Sequence, residues 1–240
     1  MAADPRFPEG AGPVILARTA GWAAAVKPPD FSSEHGTEER PGFPDLLARA
    51  LGRAPSGIYP VHRLDRGTGG LMVYALSRPA AARLSAAVAE RRLEKTYLAV
   101  CEGVPEESGE WRDYLFYDRS RQKSYVVRRP RGGVKEAVLR FRRIASADGL
   151  SLLRIGLETG RTHQIRVQCA SRGFPLAGDR KYGGKRTGIP CALWSARLSF
   201  PDPDSGENRC FTLEPPDEYP WSLFRDQLRV LSEAENGGSE

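Results

Sequence analysis

An acidic residue surrounded by arginines lies in a short, glycine-rich segment of the chain. Asp65 stands between Arg63 and Arg66 in the segment H-R-L-D-R over residues 62–66, and G-T-G-G follows over residues 67–70. Positive neighbours favour the ionised form of a carboxyl group, and an ionised carboxylate can act as a nucleophile. The glycines would let a ligand approach the backbone closely. The alternative interpretation is an aspartate that caps a turn while its arginines remain in water.

A second polar segment lies where a predicted strand changes into a predicted helix. It reads L-E-T-G-R-T-H-Q-I-R-V over residues 157–167. At helical spacing, Thr162 and Arg166 lie on one face, so the first turn of this helix can direct a guanidinium group and several polar groups at one point. An arginine there could hold Asp65 in its charged form. An ordinary helix N-terminus with a polar first turn is the alternative.

The net charge of +6 is distributed unevenly along the sequence. Residues 119–143 include ten basic side chains and one acid, Glu136, whereas residues 202–218 include six acids and one basic residue, Arg209. A basic face attracts a polyanion such as a nucleic acid. A run of charge can equally form a solvated face without a ligand.

Composition and length limit the class of protein. A chain of 240 residues with 40% hydrophobic and 28% charged residues can bury a globular core. No apolar run approaches the roughly 18 residues that a membrane-spanning helix needs. Residues 1–8 contain an acid and two prolines where a secretory signal would be basic and then apolar. The four cysteines lack C-x-x-C spacing, which disfavours a zinc site or a disulfide framework. We therefore expect a cytoplasmic protein.

Two glycine-rich stretches resemble nucleotide-binding motifs only superficially. Residues 178–185 have glycine spacing similar to a phosphate-binding loop, but its lysine and its Ser or Thr are missing. Residues 67–72 precede a predicted strand rather than following one, unlike a dinucleotide fingerprint. His62 and His163 have no companion ligand at metal-binding spacing. We expect neither a nucleotide cofactor nor a metal.

The hydrophobic patterns predict an α+β fold, with a mixed or mostly antiparallel sheet flanked by helices and loops. Strands are predicted over 14–16, 22–26, 71–76, 95–102, 123–128, 137–144 and 150–157, and helices over 44–51, 77–92 and 162–172. The strands at 123–128 and 137–144 are expected to form a two-stranded excursion across the turn at 130–133. The strand at 137–144 alternates apolar residues with arginines, which predicts a row of exposed guanidinium groups. We expect one domain over 1–225 and a flexible, acidic, glycine-rich tail over 226–240.

Considered together, these motifs resemble the RluA-type family of RNA pseudouridine synthases. H-R-L-D-R-G-T-G-G at 62–70 is similar to the family's catalytic motif, and K-T-Y-L-A at 95–99 matches its next strand. G-R-T-H-Q-I-R at 160–166, with G-D at 178–179 and Y-G at 182–183, is similar to its C-terminal motif. The motifs follow in the family's order, and the resemblance extends over about residues 14–224. It implies the pseudouridine synthase fold.

The resemblance assigns roles to individual residues. It implies that Asp65 is the catalytic nucleophile, that Tyr97 packs under the target base and can accept its proton, and that Arg166 is the ion-pair partner of Asp65. Arg63 would occupy the gap left by a flipped base. Other expected contacts to RNA come from His62, Thr68, Arg161, His163 and Gln164. Two departures from the family pattern are Gly69 in place of the usual Ser and a first motif reduced to K-P-P at 27–29.

The implied reaction is the isomerisation of uridine to pseudouridine within ribosomal or transfer RNA. Because no atoms are gained or lost, no cofactor is required. Asp65 could attack the anomeric carbon or ring carbon 6, or could abstract a ribose proton. All three routes require the base to leave its stack. We expect Arg128, Arg129 and Arg131 to hold the RNA, and the protein to be a monomer. The alternative is a non-catalytic RNA-binding protein or RNA chaperone that retains the fold.

Overall fold

The computed structural model describes residues 12–186 and 188–236, and the chain forms two compact units. The first unit comprises Met1–Glu94 and Leu198–Phe211, and the second comprises Lys95–Arg197 and Thr212–Glu240. The expected single domain over 1–225 stays a prediction. The expectations for residues 1–8 and for the end of the tail, 237–240, lie outside the described residues. Among the residues described, no helix is both long and apolar enough to cross a membrane.

The first unit is built on an antiparallel sheet in the order β1-β2-β4, with β3 paired to β4. The elements are β1 (Val14–Arg18), β2 (Trp22–Lys27), α1 (Phe43–Ala50), β3 (Tyr59–Pro60), β4 (Gly69–Ala75) and α2 (Arg78–Ala89). Every residue of β4 is buried, as expected for a continuous apolar strand in the middle of a sheet. β4 begins four residues after Asp65, so the candidate nucleophile lies on the loop that enters the central strand.

Local sequence explains the boundaries of α2. The side chain of Ser77 accepts a hydrogen bond from the amide of Ala80, at 3.3 Å, and Pro79 lies in the first turn. The helix buries Leu84 and Ala87. It ends earlier than the predicted residue 92, because Arg91 adopts a left-handed φ of 59°. The chain then turns directly into the next strand.

The second unit contains five strands in the order β5-β9-β8-β6-β7, all with antiparallel pairing. Its elements include β5 (Glu94–Glu102), β6 (Ser108–Asp118), β7 (Lys123–Val127), β8 (Val134–Ala147), β9 (Leu150–Leu157), α3 (Gln164–Ser171) and α4 (Arg225–Asn236). The two remaining strands, β10 (Leu193–Pro201) and β11 (Asn208–Thr212), each contribute residues to both units. The predicted α+β class with a mostly antiparallel sheet is confirmed.

The predicted pairing of the strands on either side of the 130–133 turn is wrong. β6 lies between β7 and β8 and pairs with both. β6 was absent from the sequence prediction, although Trp111 and Leu115 are buried while Glu110 and Arg112 are exposed. The eleven-residue β6 can pair along both of its edges, so β7 and β8 bond to it instead of to each other.

The alternating pattern predicted for β8 is confirmed. Leu139 and Phe141 are buried, whereas Arg140 and Arg142 are exposed. The buried residues belong to the core of the sheet, and the arginines form the predicted row on its solvent side.

Two predictions about helices need correction. α3 begins at Gln164 rather than at residue 162, because His163 is left-handed with φ 55° and ψ 24°. Thr162 therefore precedes the helix and does not share a helical face with Arg166. At the other end of the chain, residues expected to form a flexible tail instead form α4, which buries Leu228. That buried leucine supplies the apolar contact that an acidic segment needs in order to pack.

Candidate active site

The backbone of the Asp65 loop forms a tight turn in the first unit. The amide of Thr68 donates to the carbonyl oxygen of Asp65 at 3.0 Å, and the Thr68 side chain is buried. Asp65 itself is partly buried, and Arg63 and Arg66 are exposed. The carboxylate therefore lies on a constrained turn and retains some access to solvent.

The buried side chain of Lys27 holds this loop in place through hydrogen bonds to backbone carbonyl oxygens. Lys27 is fully buried, and its Nζ donates to the carbonyl oxygens of Pro28, Phe31 and Arg66 at 2.8, 2.9 and 3.2 Å. Burial lowers the pKa of Lys27 to about 7, and the nearby charge of Asp65 opposes that shift. The three donors of the ammonium group each have a carbonyl acceptor, which fixes the backbone next to Asp65.

Two further hydrogen-bonding residues hold the chain just before Asp65. The hydroxyl of Ser33 donates to the carbonyl oxygen of Leu64 at 2.7 Å and accepts from the Leu64 amide at 2.9 Å. The buried His62 accepts from the amide of Val73 through Nε2 at 3.1 Å, which ties the loop to β4. His62 thus has a positioning function in this structure. Sequence reasoning missed Ser33, and the only signal for Lys27 was the shortened K-P-P motif.

The exposed arginines of the loop have weaker attachments. Arg63 Nη1 lies 3.8 Å from Glu34 Oε1, and both side chains are largely exposed. Arg66 donates through Nε to the carbonyl oxygen of Asp30 at 3.0 Å. An exposed pair of this kind contributes little to stability. Arg63 can consequently reorient to meet a ligand at low cost.

Tyr97 lies in the second unit, within β5. Its side chain is buried, and the residue pairs with Ile155 of β9 in the antiparallel ladder. Lys95 precedes it by two residues, so both side chains point to the same side of β5. Burial lowers the pKa of Lys95. The ring of Tyr97 is therefore held on a rigid element of the sheet.

Arg166 forms a bidentate ion pair with Asp179 in the second unit. The Nε–Oδ2 distance is 2.7 Å and the Nη2–Oδ1 distance is 2.8 Å. The side chain of Asp179 is 0% exposed and that of Arg166 is 11% exposed. Two parallel hydrogen bonds fix the plane of the guanidinium group. Asp179 is thus a supporting residue of the candidate site. The expected ion pair between Arg166 and Asp65 stays a prediction.

Tyr182 connects α3 to β7. Its hydroxyl accepts from the buried amide of Ser124 at 2.7 Å and shares a hydrogen bond of 2.9 Å with Nδ1 of His163. The Arg166 guanidinium and the Lys123 ammonium each lie 5.1 Å from the centre of the Tyr182 ring. These contacts hold the start of α3 and the side chain of Arg166 against β7.

The turn before α3 is held by its own polar side chains. Gln164 is buried, and its Oε1 accepts from the hydroxyl of Thr159 at 2.8 Å and from the amide of Arg161 at 3.0 Å. The Arg161 side chain donates through Nε to the carbonyl oxygen of Glu136 at 2.8 Å. Gln164 and Arg161 therefore shape the turn, and their contacts with RNA stay predictions.

Two groups of basic side chains in the second unit differ in their partners. Those on the open face of β6 and β8 are paired with acids: Arg112 with Glu110 and Glu136 at 3.1 and 2.9 Å, and Arg140 with Glu110 at 3.1 Å and with Glu158 at 2.8 Å. The exposed residues at the turn between β7 and β8 have no acidic partner within 4 Å among the described residues; they are Arg128, Arg129 and Arg131. The turn therefore offers the stronger attraction for phosphate.

The predicted site residues are divided between the two units. The first unit contains His62, Arg63, Asp65 and Thr68, and the second contains Tyr97, Arg128, Arg129, Arg131, Arg161, His163, Gln164 and Arg166. Within the described part of the chain, no group of three or more His, Cys, Asp or Glu residues is arranged to hold a metal ion.

Several known proteins with similar sequences have names that describe them as pseudouridine synthases. A family profile described as RNA pseudouridylate synthase matches residues 22–171. Ribosomal large subunit pseudouridine synthase D of Zymomonas mobilis is 37% identical over 178 residues, which are 70% of this chain and 55% of that protein. An uncharacterised RNA pseudouridine synthase of Bacillus subtilis, YhcT, is 43% identical over 127 residues, or 52% of this chain and 41% of that protein. The chain spans about half the length of these curated relatives.

Solved structures show the same fold. Human RNA pseudouridylate synthase domain containing 4 superposes with a TM-score of 0.71 at 23% identity, covering 90% of this chain and 93% of that chain. Human RNA pseudouridylate synthase domain containing 1 gives a TM-score of 0.69 at 21% identity, covering 91% of this chain and 95% of that chain. At these identities, the likeness concerns the arrangement of strands and helices.

Proposed function

Because this chain belongs to the RNA pseudouridylate synthase family, we propose that it isomerises uridine to pseudouridine within an RNA chain. The observation that carries the proposal is the position of Asp65 on a loop whose backbone is fixed by the buried Lys27. A partly exposed carboxylate on a constrained turn is suited to attack a bound substrate. The matched residues 22–171 include Asp65, Tyr97 and Arg166.

The reaction conserves every atom of the substrate. The bond from ribose C1′ to uracil N1 breaks, the base turns, and a bond from C1′ to C5 forms. A proton leaves C5 and N1 takes up a proton. Asp65 is the proposed nucleophile, acting at the anomeric carbon or at ring carbon 6, or as the base that removes a ribose proton.

The other proposed roles concern the position of the base and the charge of Asp65. Tyr97 offers a buried ring on which the flipped uracil can stack, which contributes roughly 1 to 3 kcal/mol for each stacked base. Arg166, oriented by Asp179, is the proposed ion-pair partner of Asp65. Arg63 is exposed and can fill the space that the flipped base leaves in the RNA.

The proposed substrate is ribosomal RNA of the large subunit, since several relatives of this chain are named for that substrate. A uridine that is unpaired or in a loop costs least to flip. We propose that Arg128, Arg129 and Arg131 hold the phosphates of the RNA, and that the protein acts as a cytoplasmic monomer.

The test uses RNA labelled with tritium at C5 of uridine, prepared from cells that lack this gene. Wild-type protein should release tritium, because the C5 proton is lost, and Asp65→Asn should release none while binding the RNA with nearly unchanged affinity. Release by Asp65→Asn would remove Asp65 as the nucleophile. Binding without release by the wild type would favour a non-catalytic RNA-binding protein.

A further inference from the structure

Three aromatic side chains form a row on the open face of the β6–β7 ribbon. Tyr114 and Phe116 are two residues apart on β6, and Phe116 pairs directly with Tyr125 on β7. Residues two apart on a strand, and residues directly paired across strands, lie on the same face. Tyr114 is exposed, and Phe116 and Tyr125 are half-buried. We call these three residues the aromatic row.

The opposite face of the same ribbon is packed against α3. Trp111 and Leu115 are buried there, and Leu115 clusters with Val167 of α3 and with Tyr182. Gln168 of α3 donates to the carbonyl oxygen of Trp111 at 3.2 Å. The aromatic row therefore lies on the face of the ribbon opposite Trp111 and Leu115.

Cationic groups lie over the aromatic row. The Arg131 guanidinium is 5.4 Å from the centre of the Phe116 ring. The Lys123 ammonium is 5.8 Å from the centre of the Tyr125 ring and 5.1 Å from that of Tyr182, so it contacts both rings. A hydrogen bond to Tyr125 raises the pKa of the Arg121 guanidinium. Aromatic rings alternate here with positive charges, which is the combination that binds single-stranded nucleic acid.

The charge around the aromatic row matches a polyanion. Residues 118–136 carry seven basic side chains against two acids, Asp118 and Glu136. Both acids are already engaged: Glu136 with Arg112 at 2.9 Å, and Asp118 with Arg121 at 3.9 Å. The excess positive charge therefore remains available to phosphate groups.

We propose that the aromatic row binds an unpaired segment of the RNA outside the target uridine. Bases stack on Tyr114 and Tyr125, and Arg131 and Lys123 contact the phosphates between them. The proposal rests on the proposed function in that the ligand is RNA, but it involves neither Asp65 nor the bonds that change in the reaction, and the surface recognises bases of any type. Its effect is to strengthen the binding of single-stranded RNA.

The test measures binding of two 12-nucleotide RNA probes to the full chain by fluorescence anisotropy. One probe contains only adenosine, and the other has the same backbone without bases. The double variant Tyr114→Leu/Tyr125→Leu should bind the adenosine probe at least about thirtyfold more weakly, because leucine has no stacking face and two stacked bases lose their support. Its affinity for the abasic probe, and the slope of affinity against salt, should not change, because the phosphate contacts remain.

Two further variants test whether the effect is specific to stacking on the aromatic row. Tyr219 is a matched control, because its exposed fraction is 40% and that of Tyr114 is 37%. The Arg186 guanidinium lies 5.8 Å from the centre of the Tyr219 ring, but Tyr219 lies outside residues 118–136. Tyr219→Leu should therefore leave both affinities unchanged. Tyr125→Trp, which retains a stacking face, should bind the adenosine probe at least as well as the wild type. Thermal unfolding of each variant confirms that the fold is intact.

Equal affinities of the double variant and the wild type for the adenosine probe would overturn the proposal. An equal loss for both probes would overturn it too, because it would assign the effect to backbone contacts. Neither probe contains uridine, so the outcome is independent of catalysis. Tritium release by the wild type, measured in parallel, decides the proposed function separately.

Discussion

The ammonium group of Lys27 donates a hydrogen bond to the carbonyl oxygen of Arg66, across 39 positions of sequence, at 3.2 Å. Arg66 follows Asp65 directly, so a fully buried cation of β2 fixes the backbone of the candidate nucleophile. The Lys27 ammonium also donates to the carbonyl oxygens of Pro28 and Phe31, which belong to the segment after β2. Lys27 therefore ties two loops of the first unit together at a single buried point.

This arrangement predicts a dependence of stability on pH. Burial lowers the pKa of Lys27 from 10.5 to about 7 in the folded protein. Between these values the unfolded chain binds more protons than the folded chain, so the free energy of unfolding rises with pH, by up to about 1.4 kcal/mol per pH unit. Below about pH 7 both states are protonated and this contribution is constant.

The measurement compares urea unfolding of the wild type and of Lys27→Met at pH 6, 7, 8 and 9. The free energy of unfolding of the wild type should increase relative to that of the variant above pH 7, and the difference should be level below it. A difference that stays the same over the whole range would show that Lys27 does not titrate in this interval.

The ion pair of Arg166 and Asp179 predicts different consequences for stability and for catalysis. Arg166→Met would leave the carboxylate of Asp179 buried without its cation, at a cost of about 3 to 5 kcal/mol. In the double variant Arg166→Met/Asp179→Asn, the buried charge is gone, so much of that loss in the free energy of unfolding should be recovered. Turnover should remain low in both variants, and RNA affinity should fall less than turnover.

Urea unfolding, tritium release and RNA binding of the two variants check this prediction. If the double variant regains both stability and turnover, Arg166 has only a structural role. Equal losses of turnover and RNA affinity would instead identify Arg166 as a contact to phosphate.

Removal of the Tyr182 hydroxyl should lower the free energy of unfolding. Tyr182→Phe leaves the buried amide of Ser124 without its acceptor, which costs about 1 to 3 kcal/mol. Tyr114→Phe removes an exposed hydroxyl and should change the free energy of unfolding by less than about 0.5 kcal/mol. Urea unfolding of both variants gives the comparison, and equal effects would mean that the hydrogen bond from Ser124 contributes nothing.

Features set by neighbouring residues were predictable from the sequence. The bounds of β9 agree with the predicted 150–157, and the cap of α2 at Ser77 follows from its residue type. The alternation of Leu139 and Phe141 with Arg140 and Arg142 predicted which side of β8 is buried. In each case, residues within a few positions determine the conformation.

Features set by distant pairing were not predictable in the same way. The position of β6 between β7 and β8 depends on two ladders that its own pattern does not specify. The left-handed conformation of His163 is supported by a hydrogen bond with Tyr182, nineteen residues away. The motifs therefore named candidate residues, whose roles stay predictions, while the long-range contacts that hold those residues became visible only in the structure.

The basic turn between β7 and β8 predicts a specific dependence of RNA affinity on salt. Arg128 and Arg129 are exposed and have no acidic partner within 4 Å among the described residues. If each contacts one phosphate of single-stranded RNA, Arg128→Gln/Arg129→Gln should reduce the slope of log affinity against log salt by about 1.4.

The control Arg225→Gln/Arg229→Gln makes the same change of charge on α4, where both arginines are paired with acids. Because the net charge of the two variants is equal, a flatter slope in the first alone would assign the phosphate contacts to the turn. Equal slopes in both variants and the wild type would make the turn a solvated face, and the RNA would then have to be held by other cations of the chain.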